Sequence, residues 1–273
     1  MRDFVEAVLR YHRESGRHDH PWRITRDPYS VLVSEVMLQQ TQVSRVLPKY
    51  LAWLERFPTA DALAAAPLAD VLEAWQGLGY NRRALALKRA AEEISAHHGG
   101  TVPREEASLL ALPGIGPATA AGVRAFAFDE QGIYLETNVR AAFLHHFFAD
   151  ADGVPDREIL PFMHEALAVA AEAGSGPREW YYALLDYGAN LKRTLPNPSR
   201  RSRHHQRQSP FEGSKRQLRA KLLRAEMRDA GLSADDYAVA VSADTHRSAE
   251  ILDELAEEGF LTRDPNGHYC VTG

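Results

Sequence analysis

Leu112-Pro113-Gly114-Ile115-Gly116-Pro117-Ala118-Thr119 is the stretch that decides how this chain folds. It reads as a tight turn between two helices, because apolar residues recur at helical spacing over 105–111 before it and over 117–128 after it. Two glycines one residue apart permit φ > 0 and put no side chain in the way of an approaching partner. Pro117 suits the first position of a new helix, where its missing N–H is not needed. Free N–H groups at such a helix start form a ready site for a phosphate. Glu136 follows twenty residues beyond Gly116. A carboxylate near a phosphate-gripping hairpin points to chemistry on a nucleic acid backbone or sugar. Taken alone, an ordinary helical hairpin with a glycine turn accounts for the same residues.

Outward from the hairpin the pattern stays helical. Apolar residues recur at three- and four-residue spacing in 2–12, 29–41, 43–56, 60–65, 68–76, 81–97, 137–148, 157–172 and 178–192. Pro and Gly mark the joins. Residues 194–214 are rich in Pro, Ser, Arg and His and read as a basic linker. Beyond them, 215–230 and 245–258 read as helices. The segments 259–263 and 268–271 flank the turn-rich Asp264-Pro265-Asn266-Gly267, which predicts a hairpin and a winged-helix-like module.

The 273 residues are 45% hydrophobic, enough for a substantial core. No run reaches the ~18 apolar residues of a membrane span, and Met1–Glu6 lacks the order of a signal peptide. The single cysteine, Cys270, excludes an intramolecular disulfide and any four-cysteine cluster. A reducing, cytoplasmic location is expected, on the nucleoid in a bacterium. The net charge of −5 hides an asymmetry: residues 192–224 hold eleven Lys/Arg and one acid, a net +10 that leaves −15 elsewhere. Such a block is the footprint expected of phosphate contact, or of a solvated linker. The helix at 244–258 is acidic, which favours packing or protein contact over the major groove.

Two carboxylates can carry chemistry. Glu35, in Val31–Gln40, has Val31, Leu32, Leu38 and Gln39 as helical neighbours. On that apolar face desolvation raises its pKa, as a general acid requires; a Glu satisfied by a buried partner is the alternative. Glu136 stands where an extended stretch enters a helix, with Thr137 as the expected N-cap. One protonated and one ionised carboxylate suit cleavage of a glycosidic bond through an oxocarbenium-like state. No His/Cys cluster has metal-ligand spacing.

Over about residues 4–192 the chain resembles the helix–hairpin–helix DNA glycosylases, and among them the A/G-specific adenine glycosylases of the MutY type. The resemblance rests on His20-Pro21-Trp22-Arg23, Arg26-Asp27-Pro28-Tyr29, Ser34-Glu35-Val36-Met37-Leu38-Gln39-Gln40-Thr41-Gln42-Val43, Gly77-Leu78-Gly79-Tyr80, the hairpin, and Asp186-Tyr187-Gly188-Ala189. It implies an all-α, two-lobed fold. Residues 1–28 with 137–193 would form the terminal lobe, and 29–136 the helical-barrel lobe with the hairpin. The linker 194–214 and the module 215–273 would follow.

The same resemblance implies a monofunctional enzyme of base-excision repair. Its substrate would be adenine mispaired with G or 8-oxoguanine in double-stranded DNA; thymine, uracil or hypoxanthine is the alternative base. A lesion binder without catalysis is a third reading, against which the retained Glu35 argues. Glu35 would protonate the leaving base, and Asn138 would help hold the water. Trp22, Arg23, Leu38 and Ala118 would line the base pocket. Gln40 and Tyr80 would fill the gap left in the duplex, and Gln39, Thr41, Thr119, Gly114 and Gly116 would contact DNA. Ala118, where a Schiff-base lysine would be expected, implies no lyase step.

Three departures from the family are expected to matter. Its catalytic aspartate falls at Glu136, one methylene longer. Its four-cysteine iron–sulfur loop is absent, with Lys192 at the first cysteine, so no cofactor is expected. Arg200, Arg201 and Arg203 in the basic segment 193–207 are expected to clamp DNA phosphates instead. The family's 8-oxoguanine-reading domain is replaced by the short module. A monomer without membrane contact is expected.

Overall fold

A computed structural model describes residues 1–205 and 210–272. Its helices run α1 (Arg2–Ser15), α2 (Pro21–Ile24), α3 (Pro28–Leu38), α4 (Val43–Arg56), α5 (Ala60–Ala65), α6 (Leu68–Trp75), α7 (Arg82–His97) and α8 (Glu106–Ala111). Next come α9 (Pro117–Phe128), α10 (Thr137–Phe147), α11 (Asp156–Glu172), α12 (Pro177–Thr194), a 3-10 turn at Pro198–Arg201, and α13 (Lys215–Arg228). Strand β1 (Leu232–Ser233), α14 (Ala234–Val241), α15 (Thr245–Glu257), β2 (Leu261–Arg263) and β3 (His268–Val271) complete the order. The fold is all-α with one small sheet. No described helix is long and apolar enough to cross a membrane.

The chain forms two compact units, Met1–Gln40 with His97–Gln206 and Thr41–Ala96 with Arg207–Gly273. These boundaries fall elsewhere than the divisions at 28, 136, 193 and 214 read from the sequence. In the first unit α10 packs on α12, α1 on α12 and α3 on α9. Phe4 of α1 meets Phe143 of α10 at 5.2 Å and Trp180 of α12 edge-on at 6.1 Å. Asp186 of α12 ties down the N-terminal segment. It accepts from both guanidinium nitrogens of Arg23 at 2.7 and 2.9 Å, from Arg17 Nε at 2.6 Å, and bonds His12 Nδ1 at 3.0 Å. Gly188, in the same motif, lets α12 meet the start of α10. A Cβ there would lie 2.6 Å from the carbonyl carbon of Asn138.

In the second unit Trp53 and Trp75 pack edge to face at 5.4 Å between α4 and α6. The C-terminal helices close over an antiparallel sheet of order β1-β3-β2, with Leu232 opposite Tyr269 and Leu261 opposite Val271. Asp264 and Gly267 make the β2–β3 turn: the Asp264 carboxylate accepts from the N–H groups of Asn266 and His268, and Gly267 has φ +88°. The acidic helix α15 packs against α13. Glu254 pairs with Lys215 and Arg219, while Glu258 pairs with Arg219 and, on α7, Arg82.

Four local expectations change. Helix α14 is short and ends in a continuous apolar run, which shows no helical period; its sign in the sequence is the capping box of Ser233 and Asp236. The segment after α12 is not simply a linker. Its 3-10 turn packs on α10, and Val154 exchanges backbone bonds with Arg201 and Arg203 at 2.8 and 3.0 Å. Arg207 lies outside the described residues. Helix α3 stops at Leu38, and Gln40 takes φ +52°. Glu136, not Thr137, caps α10.

Candidate active site

The hairpin is built as α8, a turn, and α9. Leu112 and Ile115 bury their side chains, which anchors the turn and leaves Gly114, Gly116, Pro117 and Ala118 exposed. Gly114 has φ +75°, the conformation that requires glycine. Gly116 does not: it is extended, at φ −91° and ψ 176°, and caps α9. A Cβ on Gly116 would meet nothing within 4 Å, so the open space there is available to something outside the chain.

Glu35 projects from α3, a helix buried nearly all round and started by Asp27, whose carboxylate accepts from Ser30 N–H at 2.8 Å. The side chain meets α9 at Gly122. A Cβ on Gly122 would collide with the Glu35 carboxylate and come within 2.9 Å of the Tyr134 ring. The Tyr134 hydroxyl bonds the Glu35 carboxyl. Tyr134 is itself pinned by edge-on contacts to Phe126 at 5.2 Å and Tyr181 at 5.5 Å. Burial pushes Glu35 up to about 8; the Tyr134 bond opposes this and the charge of Glu136 adds to it. Burial and both carboxylates hold Tyr134 well above its ordinary range, so it stays a hydroxyl donor.

Glu136 curls back as the N-cap of α10. Its Oε1 accepts from the N–H groups of Asn138 at 2.6 Å and Val139 at 2.9 Å. Its Oε2 faces the Asn138 side-chain amide at 3.4 Å. This cap spends one carboxylate oxygen on the free donors of the helix start. Burial raises its pKa, and the Val139 and Asn138 N–H groups, Lys192 and Arg140 counter the rise. Lys192 Nζ donates to Asn138 Oδ1 at 3.2 Å. Glu35, Tyr134, Glu136, Asn138 and Lys192 thus belong to one charged cluster in the first unit.

The other residues named from the sequence are placed differently. Trp22 is buried, and its carbonyl accepts from Tyr182 at 3.1 Å. Arg23 is bound to Asp186 and lies 4.5 Å over the Tyr182 ring, so its guanidinium braces the wall rather than opening onto a cavity. Thr119 is buried and its hydroxyl accepts from Gln39 Nε2 at 3.0 Å. Leu38 is half-buried, Ala118 exposed. Arg200 and Arg203 are exposed and Arg201 half-buried. In the second unit, Tyr80 follows Gly77 and Gly79 at φ +91° and +74°, has φ +52° itself, and keeps 37% of its surface open. Positive φ at a bulky residue is strain of the kind kept at functional positions. Arg216 of α13 donates to its hydroxyl at 3.3 Å, and Arg83 lies 5.5 Å over its ring. Arg83 also donates to Thr41 Oγ1 at 3.0 Å.

Sequence reasoning missed Tyr134, Gly122 and Lys192 as partners of the two glutamates. Tyr134 had a signal: two residues before Glu136 in an extended stretch, it shares that face. Gly122 had another, since a glycine inside a helix costs about 1 kcal/mol against alanine and implies a packing reason. Lys192 had none beyond its position.

The arrangement is a helix–hairpin–helix whose second helix packs on a buried glutamate of raised pKa, with a second carboxylate capping α10. The family model for the HhH-GPD superfamily of base excision DNA repair proteins matches residues 33–161. The adenine DNA glycosylase of Mycolicibacterium smegmatis is 34% identical over 287 residues, covering 98% of this chain and 96% of its own length. That of Buchnera aphidicola is 35% identical over 186 residues, 68% of this chain and 52% of that protein. A solved thermostable thymine-DNA glycosylase superposes with TM-score 0.59 at 26% identity, over 69% of this chain and 86% of that one. The chain belongs to the HhH-GPD superfamily of base excision DNA repair proteins.

Proposed function

We propose that this protein is a DNA glycosylase that removes adenine mispaired with G or 8-oxoguanine. The observation that carries the chemistry is Glu35, held protonated to about pH 8 against Gly122 and Tyr134, within the field of Glu136. Adenine is favoured because the Mycolicibacterium and Buchnera relatives both bear that name.

Glu35 gives its proton to a ring nitrogen of the flipped base as the N-glycosidic bond breaks, and the base leaves neutral. The Glu136 carboxylate stabilises the cationic sugar. Water then adds to the anomeric carbon and its proton returns to Glu35, which restores the enzyme. The exposed hairpin amides would hold a DNA phosphate, and Arg200, Arg201 and Arg203 would add further phosphate contacts. Ala118 offers no amine at the hairpin, so hydrolysis without strand cleavage is the expected outcome. No iron–sulfur cluster is part of the proposal, because one cysteine cannot hold it. We take the protein as a monomer working on cytoplasmic, nucleoid DNA.

The likeness to a thymine-DNA glycosylase favours one second reading, the same chemistry on thymine. Duplexes with A:G, A:8-oxoguanine, T:G, U:G and hypoxanthine, treated with and without alkali, separate the two. Alkali-dependent breakage at A:G and A:8-oxoguanine is expected, with Glu35→Gln and Glu136→Gln nearly inactive. Breakage at T:G alone would replace adenine by thymine, and binding without breakage at any duplex would reject catalysis.

A further inference from the structure

Lys192 stands at the far side of Asn138 from Glu136. It is half-buried, unlike its neighbour Arg193, which is exposed and bonds Asn190 on its own helix. A side-chain amide has one accepting and one donating end, and an ammonium only donates. With Nζ 3.2 Å from Asn138 Oδ1, the amide has one consistent orientation. Oδ1 then faces Lys192, and Nδ2 faces Glu136 Oε2 at 3.4 Å. The reversed amide would set its NH2 against the ammonium and its oxygen against the carboxylate, two repulsions in place of two attractions. Gly188 on α12 keeps this geometry tight by letting the helix that carries Lys192 press against the Asn138 backbone.

We propose that Lys192 is a positioning residue for base excision: through Asn138 it fixes the orientation of the amide that faces Glu136, and it places a cation across that amide from the carboxylate. The inference rests on the proposed glycosylase activity. The charged and titratable groups facing Glu136 support it. Burial disfavours a charge on Glu136, and the Glu136 carboxylate in turn raises the pKa of Glu35 on α3 and of Tyr134 on the extended stretch. Arg140 on α10 favours the Glu136 charge, but both ends of its guanidinium fork are bound to Asp156 of α11 at 2.8 Å. From the 3-10 turn, Arg201 acts on His145, further along α10. Lys192 is the cation from α12. Two other uses of a lysine here make opposite predictions: a phosphate contact would act on DNA affinity, and an amine nucleophile would form a covalent link to the opened sugar.

The test compares wild type, Lys192→Met and Lys192→Arg. Single-turnover excision is followed from pH 5 to 9, together with salt-dependent binding to an uncleaved duplex, borohydride trapping, and carboxyl-carbon NMR titration of Glu136. For Lys192→Met we expect excision at pH 7 slowed ten- to a hundredfold, and the acidic limb of the profile moved up by roughly one pH unit. Affinity for uncleaved DNA and its salt slope should stay within twofold, and Lys192→Arg should recover most of the rate. The Glu136 titration should move up with the acidic limb. A uniform loss with an unmoved acidic limb and unmoved Glu136 titration overturns the proposal. So does a loss confined to DNA affinity, or a borohydride-stable adduct that disappears in Lys192→Met. If wild type excises no base, the functional reading falls, while the NMR titration still decides whether Lys192 governs Glu136.

Discussion

Glu35 is a residue the fold holds at a cost. Its folded pKa of about 8 lies above the ordinary value of 4.5, so the unfolded chain ionises it more readily than the native one does. The penalty is absent below pH 4.5, grows between 4.5 and about 8, and is constant above. Glu35→Gln removes it. Urea unfolding should find that variant equal to wild type near pH 4 and more stable at pH 8 by on the order of 2–4 kcal/mol, though inactive. The same carboxyl sets the upper edge of activity: excision should fall as pH passes about 8 and Glu35 loses its proton. Gly122→Ala tests the geometry. Its Cβ would displace Glu35 and Tyr134, so single-turnover excision should drop by about a hundredfold, with a stability loss of about 1–3 kcal/mol from overpacking. Both glutamates were legible as residues, one from its apolar helical face and one from its position at a helix start. Their mutual field was not, because it depends on how α3, α9 and α10 come together.

At the scale of elements, the longer helices were legible to within about three residues, because each carries its own period and often Pro or Gly near its ends. What escaped was α2, β1 and α14, too short to show a period, and the fold of 195–205, whose order comes from bonds to Val154 across the chain. The motif Asp186-Tyr187-Gly188-Ala189 also gains its meaning here. Burial works against ionising Asp186, but bonds from His12 and Arg23 and the charges of Arg23 and Arg17 overcome it and hold the carboxyl far below the usual range. The stability it lends is therefore present above its unfolded pKa of 3.8 and is lost as pH falls below that value. Asp186→Asn strands two guanidinium groups and should cost about 3–5 kcal/mol by thermal or urea unfolding at pH 7. A loss under about 1 kcal/mol would show that α1, α2 and α12 hold together without it.

For the whole molecule, the +10 block at 192–224 overstates the charge available to DNA. Lys215 and Arg219 are paired with Glu254 and Glu258 of α15, which accounts for the acidic helix as an internal partner of α13. Arg200, Arg201 and Arg203 make no such ion pair among the described residues. Reversing those three to Glu should weaken duplex binding and lower its log-log salt slope by about 0.9 for each phosphate they no longer neutralise. An unchanged slope would remove them from the DNA interface. Periodicity, turn chemistry and composition are local, and they were enough for the longer helices and the hairpin, and to place Glu35 on an apolar helix face and Glu136 at a helix start. Packing in three dimensions was needed to make Gly122 the space for Glu35, to bring Lys192 to Asn138, and to give Arg23 to Asp186. Those relations join residues dozens to more than a hundred and fifty positions apart, and burial and charge pairing exist only once the helices have packed.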